Sequence, residues 1–132
     1  GAALRKLADM VEAQGGDSAA VYDPSLLPAA PVQHSVRAPR SGYITAMAAK
    51  EIGLVSMHLG GGRATKEDEI DLSVGVVLRA KVGERLTEGD ELAVIHAPDE
   101  ASALRAEEEL LACYTFADEP VYRPPFIRGV VT

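Results

Sequence analysis

The chain is short of most residues that announce a chemistry. Cys113 is the only cysteine among 132 residues, so no disulfide within the chain can staple the fold. A lone cysteine fits a reducing compartment, and a cytoplasmic location is the expectation. No apolar run approaches the ~20 residues that span a bilayer, and the first residues do not follow the pattern of a secretory signal. No membrane partner is therefore expected. Positive charge is also scarce: thirteen Lys and Arg stand against twenty Asp and Glu, a net charge of −7. Arg37 and Arg40 are isolated, and Arg79, Lys81 and Arg85 lie among Glu84, Glu88 and Asp90. That leaves no basic stripe for a nucleic acid to follow.

Catalytic spacings are missing as well. His34, His58 and His96 are scattered and form no HExxH or similar ligand set, so each is read as structural rather than as a zinc ligand or base. Asp68, Glu69 and Asp71 do not meet the register of a calcium loop, and Asp71 reads as a loop anchor that accepts hydrogen bonds ahead of Val74. Ser41 and Ser56 lack a GxSxG setting, and Cys113 has no histidine motif beside it. We expect no catalytic residue, no metal and no cofactor within the chain. No internal repeat or low-complexity segment appears.

What is present is an ordinary globular balance, 47 % hydrophobic and 25 % charged residues, in a length that suits one domain. The opening AALRKLADMVEAQGGD sets Leu4, Leu7, Met10 and Val11 on one helical face, with Gly15 and Gly16 ending the helix. So short a helix needs something to pack against. Gly1 in place of an initiator Met, and a helix with no clear cap before Leu4, read as a piece of something longer. Pro24, Pro28 and Pro31 then mark an ordered linker without regular period.

Strands are expected over residues 32–38 and 42–47, and a helix over 48–59 with Ile52, Val55 and Leu59 as its apolar stripe. Residues 74–80 and 92–97 read as paired strands, each buried on both faces, with Gly83 and Gly89 at chain reversals. A last helix over 100–113 should turn Leu104, Leu110 and Leu111 to the core, and Glu107, Glu108 and Glu109 mostly to water. The tail with Pro120, Pro124 and Pro125 should run extended across the domain. This order gives an α+β fold.

Gly60-Gly61-Gly62-Arg63 is the one element suited to face a ligand. Consecutive glycines let backbone N–H groups converge on an anion, and the arginine adds a charged fork. The GxxxxGK[ST] spacing of a phosphate loop is absent, and a helix stop with a hinge explains the same residues. A second comparison is the biotinyl and lipoyl carrier domains, whose Val-Gly-Glu and Glu-Gly-Asp strand rhythm is shared. Their acceptor lysine stands on a tight hairpin, whereas Lys50 in AMAAKEI falls on the expected helix. A free-standing binding module is the other alternative.

Four segments in order carry a specific resemblance: AQGGD (13–17), SGYITAMAAKEIGLVSMHLGGGR (41–63), KEDEIDLSVGVVL (66–78) and KVGERLTEGDELAVIHA (81–97). Together they resemble the C-terminal domain of the pyrimidine-nucleoside phosphorylase and thymidine phosphorylase family, over most of residues 2–113. The resemblance implies a homodimeric cytosolic pentosyltransferase that splits a pyrimidine nucleoside with phosphate into free base and pentose 1-phosphate. It implies that the phosphate- and pyrimidine-gripping residues lie upstream, so no catalytic residue carries over and the piece alone is inactive. Its partners would be the missing N-terminal helical and α/β domains. Residues 1–17 would be the terminal helix of the preceding α/β domain, 18–31 a Pro-rich linker, and 32–132 the C-terminal domain. That domain would be an α/β-hammerhead with a barrel-sandwich-like β-framework. Gly60, Gly61, Gly62 and Arg63 would open a closure loop reaching Asp68. If these glycines use positive φ, alanine at Gly61 or Gly62 should cost roughly 1 kcal/mol or more in the closed state, with little change in melting temperature.

Overall fold

The structure, a computed structural model, describes residues 1–63, 65–123, 125, 127 and 129–131. The opening segment forms helix α1 (Ala2–Ala13), whose chain turns off at Gly15 with φ 80°. The stretch read as an irregular linker carries more structure than expected. It holds a short helix α2 (Ala19–Tyr22) and a 3-10 turn (Pro24–Leu26). Asp23 starts that turn by accepting from the Ser25 N–H at 3.1 Å, with proline in its first turn.

The body is built from two three-stranded sheets, all of whose pairings are antiparallel. In the first, β5 (Glu91–Ala97) lies between β1 (Val32–Arg37) and β3 (Gly75–Leu78). Val32 faces Ala97 and Val36 faces Ala93 on one side, while Gly75 faces His96 on the other. In the second, β2 (Gly42–Met47) lies between β4 (Arg85–Leu86) and β6 (Tyr114–Ala117). The expected pairing of the two apolar runs is there, but their burial is the reverse of a matched pair. β5 is central, with Leu92, Ala93, Ile95 and Ala97 all buried. β3 is an edge strand, half-buried at best, and Val77 is exposed. A continuous apolar run does not say which strand will have neighbours on both sides.

Helix α3 (Ala49–Ser56) follows β2, and α4 (Glu100–Ala112) follows β5. Asp99 caps α4 by accepting from the Ser102 N–H at 2.7 Å, which holds its carboxyl below the usual carboxylate range. The expected core face of α4 needs correction. Leu110 is buried and Leu111 packs at the core margin, but Leu104 is exposed. Ala103 and Ala106 take its place, because small residues let the helix approach the sheet closely. The core joins Val36, Ile44, Val55, Leu59, Leu92, Ile95 and Leu110. Each large side chain so buried contributes roughly 1.5–3 kcal/mol.

β4 and β6 were not foreseen. β6 opens directly after α4, with Tyr114 buried and stacked on Phe116 at a ring-centroid distance of 6.4 Å. Burial pushes the Tyr114 phenol up to about 12. Gly83 and Gly89 turn the chain with φ 88° each, as expected. Residues 120–123 form no helix or strand, and Arg123 lies against the Gly83 turn. The expectation for Pro124 lies outside the described residues.

Candidate functional site

The glycine-arginine element sits where α3 runs out. Beyond Ser56 the helix widens into a π turn (Met57–Gly61). Val55 and Leu59 stay in the core, so the turn keeps its inner side fastened while the backbone changes course. Gly60 makes that change, with φ 106° and ψ 0°, a conformation that costs an L side chain and not glycine. Its carbonyl accepts from the Asp71 N–H at 2.9 Å, joining the two ends of the loop.

The neighbouring glycines serve a different need. Gly62 is extended, with φ −156° and ψ 175°, so positive φ is confined to Gly60 within this trio. A Cβ on Gly61 would stand 2.9 Å from the Ser56 carbonyl oxygen and 3.1 Å from its hydroxyl. A Cβ on Gly62 would meet the Met57 side chain at 3.0 Å. The condition attached to the Gly61 and Gly62 expectation is therefore not met. Alanine at Gly61 presses on the resting backbone, so melting temperature should fall. Gly60, Gly61 and Gly62 are half-buried, whereas Arg63 is exposed.

Past the corner the loop is ordered by its own short hydrogen bonds. Thr65 donates its backbone N–H and its hydroxyl to the Asp68 carboxylate at 2.8 and 2.7 Å. Asp71 accepts from the Ser73 hydroxyl at 2.6 Å and from the Ser73 N–H at 2.8 Å. The Ser73 hydroxyl, then its N–H, hold the Asp71 carboxyl below its ordinary value. Asp71 thus anchors the loop ahead of Val74, as its sequence setting suggested.

Histidines and glutamates meet across the fold in a way that spacing did not reveal. His34 Nε2 on β1 donates to Glu107 at 2.7 Å, and His58 Nδ1 on the π turn donates to Glu109 at 2.8 Å. Two of the three glutamates expected to face mostly water are therefore engaged. Positions two apart on a helix point to nearly opposite sides, so α4 is tied to the sheet by one and to the glycine corner by the other. His96 borders an open groove of about 710 Å³ between the linker and the first sheet, with Pro24, Leu27, Pro28, Gln33 and Val77.

The remaining reactive side chains are poorly placed for catalysis. Cys113 is buried, donates its thiol to the Glu109 carbonyl at 3.2 Å, and is pushed up by burial and then by Glu51 and Glu109. A protonated, buried thiol is a poor nucleophile. Among the described residues no three His, Cys, Asp or Glu side chains gather as metal ligands. Lys50 lies in the first turn of α3, away from the hairpin setting a carrier lysine requires. What the arrangement offers is a fixed corner presenting an exposed arginine and a tied loop.

Comparison with known proteins gives this corner a context. The family described as "Pyrimidine nucleoside phosphorylase C-terminal domain" matches residues 43–117. A pyrimidine-nucleoside phosphorylase of Staphylococcus aureus (strain USA300) is 40 % identical over 132 residues, all of this chain and 30 % of that protein. One from strain MSSA476 is 46 % identical over 131 residues, 99 % of this chain and 30 % of the relative. A pyrimidine-nucleoside phosphorylase of Bacillus subtilis (strain 168) is 50 % identical over 97 residues, 74 % of this chain and 22 % of its own length. The chain thus spans less than a third of these relatives.

Proposed function

Because the chain belongs to the pyrimidine nucleoside phosphorylase family, as its C-terminal domain, we propose that it is the scaffold and closure part of such an enzyme and holds none of its chemistry. In the whole enzyme a phosphate oxygen bonds to the sugar C1′ while the C1′–N bond breaks. The pyrimidine leaves with the electron pair, and the products are free base and pentose 1-phosphate. Positioning and electrostatic stabilisation of the charge that develops on the sugar carry most of that work. The groups that do it belong to partner domains, a helical one and an α/β one, in a cytoplasmic homodimer without a cofactor.

On this reading residues 1–17 close the α/β domain, 18–31 form the linker, and 32–132 form the C-terminal domain. The exposed stripe of Leu4, Leu7 and Met10 on α1 supports that division, since an apolar stripe on a helix is written for a packing surface. The two sheets with α3 and α4 are taken as an α/β-hammerhead with barrel-sandwich character. The loop from Gly60 to Asp68 is the closure element, and Gly60, Gly61, Gly62 and Arg63 are the side that meets the facing domain across the cleft. The observation that carries the reading is the corner itself. It is fixed by the core on one side and presents an exposed Arg63 on the other.

The test is phosphorolysis of uridine and thymidine, followed by release of free base. The chain alone should show none at any phosphate concentration. Grafted onto the upstream part of the Bacillus subtilis relative, in place of that protein's own C-terminal domain, it should restore turnover. Turnover by the chain alone, or a folded graft without activity, overturns the proposal.

A further inference from the structure

The glycine corner is held from outside by a pair that the proposed function leaves unused. His58 is the last exposed side chain before the backbone turns at Gly60, and Leu59 beside it is buried. Glu109 stands on α4, which Ala103, Ala106 and Leu110 fix in the core. Imidazole and carboxylate lie 2.8 Å apart. Behind them a gap of only about 30 Å³ separates the π turn from Ser102, Arg105 and Ala106. Arg105 donates to Ser102 at 3.0 Å, and the Glu109 carboxylate accepts from the histidine.

We propose that His58 and Glu109 are the positioning pair of the loop, pinning its corner to α4 and thereby setting how readily the Gly60–Asp71 backbone hydrogen bond opens. The proposal rests on the closure reading only for its catalytic consequence. The mechanics stand on the geometry. The loop has two ends, and both meet at Gly60. Whatever holds the residue next to Leu59 therefore holds both ends at once. Both side chains of the pair are about half exposed, so the contact is weak enough to exchange with solvent on the timescale of loop motion. Neither residue touches a reacting atom, so the role is positional.

The test is hydrogen exchange at the Asp71 amide in the 132-residue chain. His58→Ala and Glu109→Ala should each speed that exchange about two- to fivefold, the range of an exposed side-chain contact, while the Ile95 amide at the centre of β5 keeps its rate. The double variant should be no faster than either single one, because both remove the same contact. His58→Lys, which again offers Glu109 a donor, should restore slow exchange. His34→Ala, which breaks the companion pair on the far side of α4, should leave the Asp71 amide unchanged. Trypsin cleavage after Lys66 gives a second reading of the same opening.

An unchanged Asp71 amide in both single variants overturns the proposal, as does a double variant whose effects multiply. The consequence for catalysis is read separately, in the full-length enzyme. There the variants should lower kcat more than they alter KM. If exchange rises and both kinetic constants stay at wild type, the positioning pair stands and the closure reading falls.

Discussion

The first 31 residues and the body from Val32 to Ala117 use similar apolar residues to opposite ends. In the body, Leu92 and Ile95 are fully buried and the strand that carries them has a partner on each side. In α1, Leu4, Leu7 and Met10 are 45, 48 and 52 % exposed although they share one face, and the main contact of α1 is with the short helix α2. Tyr22, Leu26 and Leu27 are exposed beside them. The difference teaches that an apolar pattern states which face wants cover, not whether the same chain supplies it. The body covers the centre of its pattern and leaves Leu72, Val77 and Leu104 outside, whereas the opening segment covers none of its large stripe.

Three substitutions sharpen or break that contrast. The largest effect is expected at Leu92, where alanine empties a closed site between neighbours and should cost about 2–5 kcal/mol, read from the urea midpoint of the chain. A loss below 1 kcal/mol would mean the centre of the first sheet is looser than its burial indicates. Gly61→Ala comes next, at about 1–3 kcal/mol, since its Cβ presses on the Ser56 carbonyl and backbone gives less readily than side chain. A variant melting at the wild-type temperature would show that the corner yields, and would return it to the hinge reading. The smallest effect belongs to Leu7→Ala, within about 0.5 kcal/mol in this chain and larger in the full-length enzyme, where the stripe is proposed to be covered. An equal, large loss in both would erase the distinction between the two regions.

How much of this could be read from sequence differs by element. β2 was found to the residue, because the Pro39–Gly42 turn and the Tyr-Ile-Thr run bound it on physical grounds. β6 was lost because nothing between Ala112 and Tyr114 signals a break, and four residues are too few to set a period. Leu104 was misplaced because the helix face is chosen by how near the sheet can come, and two alanines allow the closer approach. The glycine corner was legible as a helix stop. Its partners were not: Glu109 lies 51 residues from His58, and no local pattern reports a meeting of that kind. Likewise the role of Gly61 depends on the Ser56 carbonyl above it, which appears only once the turn has widened.

The second sheet also has a consequence in time. β2 is hydrogen-bonded to β6, with Tyr43 opposite Ala117, and the family match covers the same span, residues 43–117. β2 leaves the ribosome before β6 and must wait for some seventy further residues before that outer partner exists, several seconds at ordinary rates of synthesis. Until then it is an open edge able to pair with other chains. Long-range pairings of this sort slow folding, so among the described residues the last strand to be made is the one that covers the open side of β2.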